Sequence, residues 1–112
     1  MADQGVPFSG SWKGEYITPD NRMATIGADL QFDRNGTIQG RGNDMVGFFR
    51  IAGTWKRNNQ VFFSLHYSED QNLGRPLIYF AGYVQGLRKI SGKCGRSQSY
   101  SVNVNDFEIN KL

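Results

Sequence analysis

His66 and Cys94 are the chain's only histidine and only cysteine, and so its first candidates for a base and a nucleophile. A cysteine attacks as its thiolate and needs a base within hydrogen-bond reach. Both residues lie in stretches where apolar and polar residues alternate. Side chains of a strand point to opposite faces in turn, so His66, between Leu65 and Tyr67, is expected to point out. Cys94, in phase with Ile90 and Gly92, is expected to point in. The two should not meet. Cys94 reads as an inert buried thiol, and His66 as a surface residue on a strand. One His and one Cys also fall short of a zinc set. The expected inward face, from Trp12, Tyr16, Leu30 and Trp55 to Phe63, Tyr67, Phe80 and Val102, holds no carboxylate, lysine or arginine. General acid–base catalysis needs such groups held in a pocket. A protein without enzymatic activity, metal or cofactor is therefore expected. A charged residue such as Glu15 or Asp29 found facing inward would reverse that reading.

Two further motifs fail on spacing. Asp33-Arg34-Asn35-Gly36 opens like a calcium loop, but Ile38 stands where the loop requires glycine. Gly40-Arg41-Gly42 has no following Lys-Ser pair and no helix to make it a phosphate loop.

What positions these residues is a run of strands. A large apolar residue, any residue, then glycine recurs at Trp12-Lys13-Gly14, Ile38-Gln39-Gly40, Ile51-Ala52-Gly53, Phe80-Ala81-Gly82 and Ile90-Ser91-Gly92. On a strand each such pair shares a face. Glycine weakens a strand unless something approaches it closely or the strand bends there. Repeated inward glycines thus predict strands curling into a barrel, or room inside one. Alternation is clearest from Ala24 to Asp33. Asn35-Gly36 and Asn58-Asn59 are turn signals, the first that of a two-residue hairpin. Ser68 to Arg75 is the longest polar loop, and Pro76 opens the strand after it. In the last strand, Tyr100 to Leu112, Val102 and Val104 are out of phase with Phe107 and Ile109, which predicts a bulge near Asn105-Asp106. With Gly10 to Ile17 the strands number eight. The predicted fold is all-β, an eight-stranded antiparallel up-and-down (meander) β-barrel, which leaves no exposed edge. The alternative is an open sandwich of two sheets. The 112 residues make one domain, 1–112, with residues 1–8 a loose N-terminal segment.

Gly10-Ser11-Trp12 resembles the Gly-x-Trp signature that opens lipocalin-like and avidin-like (calycin-type) barrels, and Gly53-Thr54-Trp55 repeats it. The order of Leu30-x-Phe32, Asn35-Gly36, Ile38-x-Gly40 and Ile51-x-Gly53 is similar to the early strands of avidin-type proteins. That resemblance implies a barrel that takes a small ligand in its mouth; avidins take biotin. It departs at Gly14, where avidin-like proteins carry a polar ligand-binding side chain. It departs again at Phe63, Phe80 and Cys94, where they carry pocket tryptophans. The biotin-site residues are thus not matched.

Two binding readings follow. In the first, one small apolar or aromatic ligand sits in the barrel. Trp12, Tyr16, Trp55 and Tyr67 line the site, and Gly14, Gly53 and Gly82 leave room. In the second, the interior is filled by its own side chains, as an eight-stranded barrel permits. Phe62, Tyr79 and Tyr83, expected to face outward, then form a surface for self-association, giving a homodimer or other homo-oligomer. Base stacking on single-stranded nucleic acid by these aromatics with Arg50 and Lys56 comes third. The formal charge is +3, from 13 basic and 10 acidic residues without a dense basic stripe. No stretch approaches a membrane span, and the first residues have no basic start or apolar run of a signal peptide. With a single cysteine, a cytoplasmic protein is expected.

Overall fold

The computed structural model describes residues 7, 9–18, 20–43, 47–67, 78–97, 99 and 102–112, the side chain of Tyr67 excepted. Eight strands follow one another: β1 (Gly10–Ile17), β2 (Met23–Phe32), β3 (Thr37–Asn43), β4 (Phe48–Trp55), β5 (Gln60–Tyr67), β6 (Ile78–Gln85), β7 (Lys89–Gly95) and β8 (Asn105–Lys111). Each pairs antiparallel with its sequence neighbour, and β8 returns to β1 through Gly14 opposite Ile109, so the sheet closes. This is the expected meander barrel; an open sandwich is excluded. No helix of the described residues is long and apolar enough to cross a membrane.

The turns at one end are short. Between β2 and β3, Gly36 N–H donates to Asp33 O (3.0 Å) and Gly36 takes φ +93°. Between β4 and β5, Asn59 N–H donates to Lys56 O (2.9 Å) and Asn59 takes φ +71°. Both are four-residue links with a single left-handed residue at the end, a longer hairpin turn than Asn35-Gly36 predicts. In each, an asparagine Oδ1 accepts from the N–H two residues on, Asn35 from Thr37 and Asn58 from Gln60.

Alternation sorts the residues as expected over seven strands. The eighth differs. β8 begins only at Asn105, so no bulge is needed to bring Phe107 and Ile109 inward. Val102 follows a bond from its own N–H to Ser99 O (3.1 Å), and Val102 and Val104 stand exposed, not in the core. Their valine-rich pattern imitates a strand, but the preceding turn leaves them without a ladder partner among the described residues. Ser68 to Arg75, Pro76, Tyr100 and residues 1–6 and 8 of the N-terminal segment lie outside the described residues.

Candidate functional site

The interior is built from large side chains at the middle of the strands. Phe63 stacks on Phe80, ring centres 4.8 Å apart and planes at 7°. Phe107 stands edge-on to both, at 5.9 and 5.0 Å, and Tyr16 stands edge-on to Phe80 at 5.6 Å. Offset-stacked and edge-to-face arrangements are the favoured geometries for aromatic pairs. At the short-turn end Trp12 leans on Phe32, centres 5.8 Å apart. Trp55 Nε1–H donates to Asp33 O (2.8 Å) of the adjacent hairpin, which satisfies the one polar atom of that buried indole. Trp12, Tyr16 and Trp55, expected to line a ligand site, are thus core residues with little surface left. Tyr67 closes β5 opposite Phe49; its side chain lies outside the described part.

The three glycines expected to leave room do not. A Cβ at Gly14 would run into Glu108 O and stand 2.6 Å from Ile109 Cα. At Gly53 it would meet Phe62 O and stand 2.6 Å from Phe63 Cα. At Gly82 it would meet Ser91 O, with Phe107 Cζ at 3.1 Å. Each time the obstacle is backbone of the next strand. The inward glycines let strongly coiled strands lie against each other, and that space is already taken.

The other end of the barrel is different. There the inward positions Ala24, opposite Tyr16, and Cys94, opposite Phe80, carry small side chains, and both are buried, as are Phe49 and Ile78 at the same end. Cys94 Sγ–H lies 3.6 Å from Ile17 O. Burial pushes the thiol up from its ordinary 9.0 to about 12, so the group is neutral and unreactive at neutral pH. His66 stands on the outer face of β5, its Nε2 2.7 Å from Ser64 Oγ. The two candidates for nucleophile and base are separated by the barrel wall. Among the described residues no group of three His, Cys, Asp or Glu could hold a metal ion.

The outer face carries two features. On β5 and β6, Phe62 is opposite Ala81, which puts it diagonal to both Tyr79 and Tyr83. The three expected surface aromatics are therefore brought together. Tyr83 is 53% exposed, Phe62 and Tyr79 are half-buried, and Lys56 Nζ lies 5.6 Å from the centre of the Phe62 ring. On β2 to β5 lies a hollow of about 1050 Å³, lined by Asp29, Gln31, Gln39, Arg41, Arg50 and His66 among others. The sequence singles out Arg50 for nucleic-acid stacking, His66 as a base, Asp29 as a possible inward charge and Arg41 in a rejected phosphate loop, but does not bring them together. All of them have outward parity, yet which residue stands beside which depends on a register the sequence does not print.

No family model matches the chain, and no curated protein matches it. Among solved structures, a de novo designed fluorescence-activating β-barrel is similar over 100% of both chains, with a TM-score of 0.57 and 14% identity. At that identity the likeness concerns the fold alone. This chain is a small closed β-barrel.

Proposed function

We propose that the chain is a non-enzymatic interaction module, a filled barrel that self-associates through the aromatic strip of β5 and β6. The observation that carries this reading is the contrast between a packed interior and a contiguous Phe62–Tyr79–Tyr83 surface. The residues between and beside them on these strands, Gln60, Ser64 and Ala81, are uncharged. The charges that flank the strip are already engaged, Lys56 over the Phe62 ring and Lys93, opposite Ala81, with Asp106. A second copy finds the same apolar rings, and hydroxyls that both donate and accept, as a two-fold interface requires. A cytoplasmic location is part of this reading, on the ground that the single Cys94 has no partner for an intrachain disulfide. Sedimentation tests the reading. The wild type should run as a dimer at micromolar concentration, and the Tyr79→Ser/Tyr83→Ser variant as a monomer with an unchanged circular dichroism spectrum. A wild type that is monomeric throughout refutes it.

A second reading keeps the small apolar or aromatic ligand, moved from the barrel centre to the end where Ala24 and Cys94 stand. Two observations favour it: the small inward side chains at that end, and the resemblance to lipocalin-like and avidin-like barrels, to which a fold shared with a designed fluorescence-activating barrel adds. Binding of a hydrophobic fluorescent probe that Ala24→Phe abolishes would support this reading. Probe binding untouched by Ala24→Phe would remove it.

A further inference from the structure

We infer that the outer hollow on β2 to β5 is a site for the phosphate group of a small phosphomonoester. The register builds it. Arg41 on β3 is directly opposite Arg50 on β4, and Arg50 is directly opposite His66 on β5. Directly opposed residues of an antiparallel pair have Cα atoms roughly 4.5–5.5 Å apart. Two guanidinium groups so placed repel and destabilise the sheet unless something neutralises them. Among the described residues neither arginine makes an ion pair. Asp29, opposite Arg41, accepts from Ser11 Oγ (2.8 Å) instead.

The barrel contains its own control. Glu15 on β1 is opposite Glu108 on β8, the mirror case of like charges facing each other. There a cation has been supplied: Lys89 Nζ lies 3.6 Å from Glu108 Oε1. Both pairs line hollows, but only the glutamates have an opposite charge within ion-pair distance; Asp29 faces Arg41 from β2 without forming an ion pair with it.

The chemistry narrows the ligand. Arginine offers a planar fork that pairs bidentately with phosphate and carboxylate. Two forks and an imidazole follow one another along one row, a number of donors that suits the three free oxygens of a phosphomonoester better than the two of a carboxylate. When Ser64 Oγ–H donates to His66 Nε2, the neutral ring carries its proton on Nδ1, the nitrogen left for a ligand. The hollow continues past the arginine row to Gln31 and Gln39, which leaves room for an organic group on the phosphate. Gln31 and Gln39 beside the row donate their amide N–H groups to the Asp33 carboxylate (3.1 and 3.5 Å), which leaves their amide oxygens as neutral acceptors for that group.

Titration with inorganic phosphate and with phenyl phosphate at constant ionic strength, read by amide chemical shifts and by Tm, tests the site. Phenyl phosphate should saturate, with the largest shifts in Arg41, Arg50 and His66, and should raise Tm. Arg41→Gln or Arg50→Gln should each weaken it roughly tenfold or more, as expected for loss of a charged hydrogen bond. Without ligand both variants should melt no lower than the wild type, because each relieves the opposed charges. Arg57→Gln, in the turn after β4 and outside the hollow, should leave binding unchanged. Three outcomes overturn the proposal: a Tm increase that survives in the double arginine variant, which is a general salt effect; chemical shifts that never saturate; and saturation only by a single-stranded oligonucleotide with a steep loss on added salt.

Discussion

Phe62 and Phe63 are neighbours of identical chemistry with opposite roles. Phe63 is 2% exposed and stacked on Phe80 in the centre of the barrel. Phe62 lies on the outer wall, with the Lys56 ammonium over its ring and Tyr79 and Tyr83 diagonal to it. The same holds one strand on, where Phe80 is buried and Tyr79 is half-buried outside. One residue of register separates a side chain that holds the fold from one that can meet a partner. The inner set is fully engaged with itself. The outer set is what is left to do something.

That division can be broken from the inside first. Phe80→Ala removes a ring that touches Phe63, Phe107 and Tyr16, and should cost about 3–5 kcal/mol in denaturant unfolding. A loss below about 1 kcal/mol would mean the interior has slack that a ligand could use. Gly53→Ala sets a methyl group against Phe62 O and Phe63 Cα and should cost about 1–3 kcal/mol. If it stabilised the barrel, that glycine would be marking space after all.

The Cys94 thiol gives a pH-dependent version. The folded chain holds its proton to about pH 12, while an unfolded thiol loses it near 9.0. Above that lower value the unfolded chain binds fewer protons, so stability present below pH 9.0 falls as pH rises towards 12. Cys94→Ala should show a shallower decline than the wild type over this window in urea unfolding. Identical slopes would show that Cys94 is not buried as described.

The smallest effect on stability belongs outside. Tyr83→Ser should change unfolding free energy by no more than about 0.5 kcal/mol, as exposed substitutions do, yet weaken self-association in sedimentation. A large loss of stability in the monomer would place Tyr83 with the inner set and erase the contrast.

Much of this was legible in the chain. Alternation from Ala24 to Asp33 marks β2, and Asn35-Gly36 and Asn58-Asn59 mark turns that the structure has, because period-2 burial and left-handed φ are local requirements. Val102 misleads for the same reason: a local pattern carries no information on whether a ladder partner is within reach. The inward glycines were legible as positions but not as meaning. Room and close approach call for the same residue, and only the next strand's backbone, Glu108 O at Gly14 or Ser91 O at Gly82, distinguishes them.

By itself, the sequence determined the strand count, where the short turns fall and, over seven strands, the face each side chain takes, all consequences of spacing along one chain. The tertiary structure alone decided what crosses between strands. It set Arg41 against Arg50, gathered Phe62 with Tyr79 and Tyr83, and closed β8 onto β1. Register is a relation between two segments joined by loops of unread length, and packing is a relation among all eight. Neither is written in the order of residues within one strand.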